Sequence, residues 1–356
     1  MTIDKGIPIK NVYYMLTYAF KELKRLDHER IEGETFEDIH ELFAEILSQG
    51  IAYILKHGLH RQYIIQEDEL QTLRGKLSIQ QTLKKRMQRD THLVCQFDTF
   101  SENNLFNQIL KSCMLLLLRH SQVSEERKAK LRRLMVYFKT VDEIPFGAIR
   151  WNALRYDRNT RFYQMLHTLC FFLLQSKLLT TESGDVKMES FSDASMELLF
   201  QRFVMEYYKQ KHPEYKARAK QIRWDMCEDG SVSAFMLPVM QTDITLALGG
   251  RTLIIDTKYY GNTLQENMGK KSVHSSHLYQ IHSYVTNEDR LHTGLVDGML
   301  LYARATSDVQ PDVQFRNRDG NVFMARTLDL SKDFKAIEEQ LENLTDYGIQ
   351  KKISAT

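Results

Sequence analysis

The chain is short of the features that mark several protein classes. It has only 4 cysteines, at 95, 113, 170 and 227, none in a C-x-x-C spacing, which excludes a disulfide framework and a tetrahedral zinc site and predicts buried reduced thiols. With 5 prolines and 16 glycines in 356 residues, it is not collagen-like, low-complexity or dominated by loops. Excess charge of one sign is missing too. The 48 Lys+Arg nearly cancel the 46 Asp+Glu, leaving +2, so contact with nucleic acid must come from local basic patches. The longest apolar runs, Cys113 to Leu118 and Leu169 to Leu174, fall far short of the ~20 residues that span a bilayer, and no membrane segment is expected. The first ten residues carry Asp4 and Lys5 and no apolar h-region, so no secretory signal is read there and a cytoplasmic location is expected.

What is present is the usage of a folded, helix-rich protein: 43% apolar and 26% charged residues, over a length that suggests two domains. The expected fold class is α/β (α+β), with a mixed helical and β domain over 1–155 and a second domain over 156–356. Asn11 is the expected N-cap of an opening helix whose face carries Val12, Met15, Leu16, Ala19, Phe20 and Leu23 at i, i+3, i+4, i+7 spacing. A second helix is expected over 36–55 with Gly58 as its stop, short strands and turns over 59–82, and helices over 102–120 and 124–139. The second half reads as an apolar helix from about 156, a helix from Ser195 to Lys211 ended by Pro213, and strands near 217–226, 232–248 and 251–260. A helix near 275–286 and strands near 296–303 and 321–329 follow, so that one sheet organises an α/β unit.

The stretch from Gln241 to Tyr260 carries the chemistry. Two strand-like runs flank Gly249-Gly250, a signal for a two-residue hairpin turn. In that register Leu248 faces Arg251 and, counting outward, Asp243 faces Asp256, with Lys258 on the same face two residues further on. Like charges directly opposite one another on a sheet are destabilising unless a cation neutralises them, which argues for a metal. Two carboxylates plus waters and a phosphate oxygen suit Mg²⁺, and a lysine beside them can orient a water and stabilise developing charge. The reaction class implied is phosphodiester hydrolysis. Two other Asp-x-Lys triplets, Asp185-Val-Lys187 and Asp333-Phe-Lys335, lack this context.

Gln280 and Tyr284 share a face of the following helix at i, i+4, and Gln-x-x-x-Tyr after Asp-x-Lys resembles the RecB-like branch of the PD-(D/E)xK nuclease superfamily. Glu206, set in the stripe of Phe200, Phe203, Val204 and Tyr207, is the candidate third carboxylate, with Glu197 a weaker one. The segments Ile7 to Phe20, Leu237 to Ile244, Leu253 to Tyr260 and Leu278-Tyr-Gln280 together resemble the McrC family, the nuclease subunits of McrBC modification-dependent restriction systems. The likeness runs over nearly the whole chain. It implies a C-terminal PD-(D/E)xK endonuclease domain acting on DNA with methylated cytosine. It also implies an N-terminal domain that binds an McrB-type AAA+ GTPase hexamer and stimulates its GTP hydrolysis. The sequence departs from the superfamily pattern at Thr242, which stands where proline would precede Asp243. No G-x-x-x-x-G-K-[ST] occurs, Gly269-Lys-Lys-Ser272 being the nearest approach, so GTP belongs to the partner.

Further signals are local. Arg74-Gly75-Lys76, at a turn inside a basic run from 74 to 89, is the segment expected to project into the partner. Lys216, Arg218, Lys220 and Arg223, just before the nuclease strands, are expected to guide DNA through its phosphates. His274, His277 and His282 lack a fourth zinc ligand, and Tyr13, Tyr14 and Tyr18 are expected to form a protein interface. The competing readings are a RecB-like repair nuclease without a methylation reader, and a non-catalytic adaptor of an AAA+ ring.

Overall fold

The computed structural model describes residues 3–4, 7–26, 36, 38–181, 193–226, 237–259, 265–267, 270–304 and 311–345. Cys227, Asp185-Val-Lys187, Tyr260, Gly269 and the first part of the strand expected at 232–248 lie outside them. In chain order the elements are β1 (Ile3–Asp4), β2 (Ile7–Pro8), α1 (Ile9–Ala19), α2 (Ile39–His57), β3 (Gln62–Leu70), β4 (Lys76–Leu77), α3 (Ile79–Met87) and β5 (Leu93–Ser101). Next come α4 (Leu105–Arg119), α5 (Glu125–Met135), α6 (Arg161–Thr181), α7 (Asp193–Lys211), β6 (Gln221–Ile222), β7 (Met240–Gln241), β8 (Ile244–Leu248) and β9 (Arg251–Lys258). The last are β10 (Gln265–Asn267), β11 (Lys270–Ser272), α8 (Ser275–Glu288), β12 (Val296–Ala303), β13 (Val313–Arg316), β14 (Val322–Leu328) and α9 (Phe334–Thr345). The class is α+β. Among the described residues no helix is long and apolar enough to cross a membrane.

The chain forms two compact units, one of residues 43–174 and the other of 1–42 with 175–356. The opening helix therefore packs with C-terminal elements, whereas a cut at residue 155 groups it with its sequence neighbours. Asn11 explains part of this. It is not the helix cap: α1 starts at Ile9 after Pro8, and Asn11 is buried, donating Nδ2 to the carbonyls of Leu330 (2.8 Å) and Lys332 (2.7 Å). A buried amide so satisfied ties α1 to a loop more than three hundred residues away.

In the unit of 43–174, a three-stranded sheet runs β3-β5-β4, with β3 and β5 antiparallel over nine residues from Gln62↔Ser101 to Leu70↔Leu93. Most of β3 is exposed, so this ribbon stands largely in solvent. Sequence reading missed β5 and placed Ile79 in a strand; Ile79 instead opens α3, a helix whose Ile79, Leu83 and Met87 remain exposed at i, i+4, i+8. α4 is capped by Asn104, whose side chain accepts from Phe106 N, and buries Ile109, Leu110, Cys113, Met114 and Leu117. Cys95, Cys113 and Cys170 are buried free thiols.

The other unit is built on a five-stranded sheet of order β13-β14-β12-β9-β8, with β9, β12 and β14 parallel and both edge strands antiparallel to their neighbours. Every residue of β12 is buried, the mark of a central parallel strand. α8 connects β9 to β12 and lays Ile281, Tyr284 and Val285 on Ile254, Leu300 and Phe323. The close approach is set by Gly298 of β12, where a Cβ would meet Ile281 Cγ1 and Val285 Cγ2 at 2.8 Å each. The sheet thus fixes how near the α8 side chains come to the end of β9.

Candidate active site

Gly249 and Gly250 have φ of 56° and 80°, the positive pair that a type I′ hairpin turn requires. β8 and β9 then pair from Leu248↔Arg251 to Ile244↔Ile255, and Asp243 and Asp256 stand one step beyond that last pair. Asp243 is half-buried, and its Oδ2 accepts from both the backbone N and the Oγ1 of Thr257, each at 2.8 Å. Thr257 fixes this carboxylate, yet period-of-two reasoning assigns it to the face opposite Asp256 and Lys258, so it was not among the expected site residues.

Asp256 is 1% exposed. Burial pushes its carboxyl up to about 6, with the Lys258 ammonium pulling it down and the Asp243 and Glu197 charges pushing it up further. Lys258 Nζ lies 2.8 Å from Asp256 Oδ2, an ion pair by distance, although the approach misses hydrogen-bond geometry and that buried oxygen accepts no hydrogen bond among the described residues. The attraction holds, and an oxygen lone pair remains open among the described residues.

Lys258, 8% exposed, donates to Gln280 Oε1 (3.2 Å); Gln280 Nε2 donates to Tyr284 OH (3.0 Å), which donates to the Gln241 carbonyl (3.0 Å). One turn of α8 thus links the ammonium to the strand that leads into Asp243. Burial, with the Asp256 and Asp243 charges adding, raises the Tyr284 hydroxyl against the pull of Gln280 and Lys258, so Tyr284 stays a neutral donor. One turn earlier, burial, with Lys258 and His274 adding, pushes the His277 imidazole down to about 4, and the neutral ring pairs through Nδ1 with Tyr302 OH at 2.9 Å.

The structure brings Asp243, Asp256, Lys258, Gln280 and Tyr284 together; Glu206 it places elsewhere. Glu206 pairs with Lys209 at 2.7 Å, and nine residues along α7, roughly 13 Å of helix rise, separate it from Glu197, the α7 carboxylate whose charge is felt at Asp256. Thr242 accounts for the missing proline: its N–H donates to the Lys220 carbonyl (2.9 Å) and its Oγ1 accepts from Lys220 N (3.0 Å), bonds that fasten residue 220 beside the site and that proline cannot make. Of the basic residues in that stretch, Lys216, Arg218 and Arg223 are exposed, whereas Lys220 is paired with Glu288 and so is not a free phosphate contact. Arg74, Gly75 and Lys76 lie in the other unit, against Gln96 and Phe97 midway along β5; all three are exposed, Gly75 has φ 65°, and the Arg74 guanidinium sits 4.0 Å from the Phe97 ring centroid.

Among the described residues no group of three His, Cys, Asp or Glu side chains gathers as a cage for a metal. A hard cation that retains its waters needs fewer protein ligands. The open, buried Oδ2 of Asp256 beside a second carboxylate suits such an ion.

A curated protein of Escherichia coli (strain K12), the Type IV methyl-directed restriction enzyme EcoKMcrBC, is 25% identical over 345 residues, which is 96% of this chain and 97% of that one. Among solved structures, a Thermococcus gammatolerans half-complex of McrB AAA+ hexamers with bound McrC matches with TM-score 0.46 and 16% identity over 94% of this chain and 76% of that one. A Thermococcus gammatolerans McrBC complex matches with TM-score 0.41 and 20% identity over 58% and 59%. The family described as McrBC 5-methylcytosine restriction system component matches residues 6–303, and the chain belongs to that family.

Proposed function

We propose that this chain is the McrC-type nuclease subunit of a 5-methylcytosine restriction complex: a Mg²⁺-dependent endonuclease that works with, and stimulates, an McrB-type AAA+ GTPase hexamer. The observation that carries the reading is the convergence of Asp243, Asp256 and Lys258 at the end of β9, with Gln280 holding the ammonium. Asp243 and Asp256 would hold the ion, its remaining positions going to waters and a phosphate oxygen; Mg²⁺, when bound, supplies an activated water and neutralises phosphate charge. With Asp243 and Asp256 holding such an ion, the Lys258 ammonium would be the group that orients the attacking water or faces the phosphate. Gln280 and Tyr284 hold it at that position through the transfer. Asp243, oriented by two Thr257 donors, does not swing out when substrate arrives.

Lys216, Arg218 and Arg223 are the phosphate contacts we assign beside this site, since they are exposed and precede the Asp243 strand. The partner contact we assign to the turn at Arg74-Gly75-Lys76, with exposed Leu73, Ile79, Leu83 and Met87 near it in sequence, apolar groups that a solitary protein gains nothing by presenting. Gly75 is required there because a Cβ would meet the Gln96 carbonyl at 2.3 Å. A purely adaptor role leaves the buried Asp256 charge and its lysine with no purpose. The test is Mg²⁺-dependent cleavage of methylated and unmethylated plasmid by the chain alone and with the GTPase partner and GTP. Cutting restricted to methylated DNA with partner and GTP is expected; methylation-blind cutting by the chain alone supports a free repair nuclease instead.

A further inference from the structure

The unit of 43–174 holds a cavity of about 560 Å³ at the end of the β3–β5 ribbon where Tyr63 faces Phe100. Arg74 sits over Phe97, three residues of β5 or roughly 10 Å from Phe100, and does not line the cavity. One wall is aromatic: Tyr63 and Phe100, cross-strand partners, pack with ring centroids 4.9 Å apart while remaining 71% and 54% exposed. The floor is Phe106, stacked on His60 at 4.4 Å, with Leu105 and Leu154 beside it. The rim is cationic. Arg155 donates through Nη1 to the carbonyls of Asn152 (2.8 Å) and Leu154 (3.4 Å) and meets no carboxylate among the described residues, leaving the rest of its guanidinium outward. Arg61 uses Nε and Nη2 on Glu102. Asp157 is the one carboxylate lining the cavity, and its Oδ1 is spent on Asn159 N, Thr160 N and Thr160 Oγ1.

We infer that this cavity is a nucleotide subsite: a planar base lies on Tyr63 and Phe100 and its phosphate meets Arg155. An exposed aromatic pair beside an uncommitted arginine is the arrangement that binds unpaired nucleic acid with little regard to sequence, because every base has a π-face and every unit a phosphate. The volume admits one nucleotide unit and not a duplex. The shared chemistry is base plus phosphate, whether from an unpaired DNA strand or a free nucleotide. The inference goes beyond the nuclease reading and uses none of its residues.

Fluorescence polarisation with the full chain in EDTA tests it, the probes being fluorescein-labelled (dT)12, a labelled duplex of the same length, and mant-labelled GTP and dAMP. Binding of (dT)12 or of a mant nucleotide is expected to weaken at least about fivefold in both Tyr63→Ala and Arg155→Ala, to persist in Tyr63→Phe, and to be unchanged in Lys335→Ala, on α9 of the other unit. Both alanine changes are at exposed side chains, and thermal melts check that they fold. Loss of (dT)12 identifies an unpaired strand as the source, and loss of a mant nucleotide identifies a free nucleotide. If neither probe binds, or if both alanine variants bind like the parent, the inference is overturned; so too if the variants lose only their hold on the AAA+ partner, which makes the cavity a protein-docking site. Cutting by an Asp256→Asn variant would undo the nuclease reading and leave these titrations untouched.

Discussion

Gly298→Ala perturbs the support of the candidate active site without touching any of its side chains. The added Cβ would sit 2.8 Å from both Ile281 Cγ1 and Val285 Cγ2, about 1 Å closer than carbon atoms rest in contact. Neither atom is the tip of a long side chain that can swing aside, so α8 itself must lift. Overpacking of this kind costs about 1–3 kcal/mol, while replacing a strand glycine with alanine returns about 0.5–1 kcal/mol by restricting the unfolded chain. The overpacking wins, and a net loss of about 1–2 kcal/mol is expected. The lift acts on Gln280, whose bond to Lys258 is already 3.2 Å, so cleavage should fall further than the loss of folded protein explains. Urea titration with amide hydrogen exchange across α8 and β12, paired with plasmid cleavage at saturating partner, measures both. An alanine variant as stable as the parent, with unchanged α8 protection, would show that the sheet does not set the height of this helix and would refute the reasoning.

Other expectations can be checked separately. Gln280→Leu removes the acceptor of a charge-assisted bond and should slow cleavage by about 10- to 100-fold at near-normal stability, read by single-turnover kinetics; an unchanged rate would mean that Lys258 needs no such support. Glu197→Gln should impair cutting while Glu206→Gln should not, because only the Glu197 charge is felt at Asp256; the reverse order in a side-by-side cleavage assay would restore Glu206 as the third carboxylate. His212 joins the end of α7 to Glu342 of α9 (2.7 Å) and to Glu214 (3.0 Å); burial pulls its pKa down, but these bonds outweigh burial and raise it, while Glu342 and Glu214 are lowered. The raised histidine contributes stability below its unfolded value of about 6.5 and loses it as pH rises through its folded value, whereas the carboxylates lose theirs below about 4.5. His212→Gln should therefore cost about 0.5–1 kcal/mol near pH 6 and little at pH 9, by urea midpoints; an equal cost at both pH values contradicts the clamp.

The sequence was most legible where local chemistry decides the outcome. The Gly249-Gly250 turn fixed the β8–β9 register through φ > 0, and that register put Asp243 opposite Asp256. Helices with an uninterrupted apolar stripe, such as Ile39–His57 and Ser275–Glu288, were legible to within a few residues. Long-range placement was not. Asn11 reads as a cap because asparagine caps helices, and only the return of residues 330–332 turns it inward. Ile79 follows an alternating run and reads as strand, but α3 forms from Ser78 onward with its apolar stripe left exposed. Glu206 and Glu197 sit on the same helix with similar surroundings in sequence, and only the packing of α7 against β9 separates a carboxylate near Asp256 from one paired with Lys209. Thr257 was hidden because Asp243 lies past the last ladder pair, where alternation no longer says which neighbours meet.

The most direct test of the central claim is to measure, in one reaction holding methylated plasmid, Mg²⁺, GTP and the AAA+ partner, both DNA cleavage and GTP turnover for the parent chain and for Asp256→Asn. The account predicts that the variant leaves the stimulated GTP turnover at the parent level and produces no cut DNA. Cleavage by Asp256→Asn at a rate near that of the parent would contradict it, and would place the chemistry of this protein away from the end of β9.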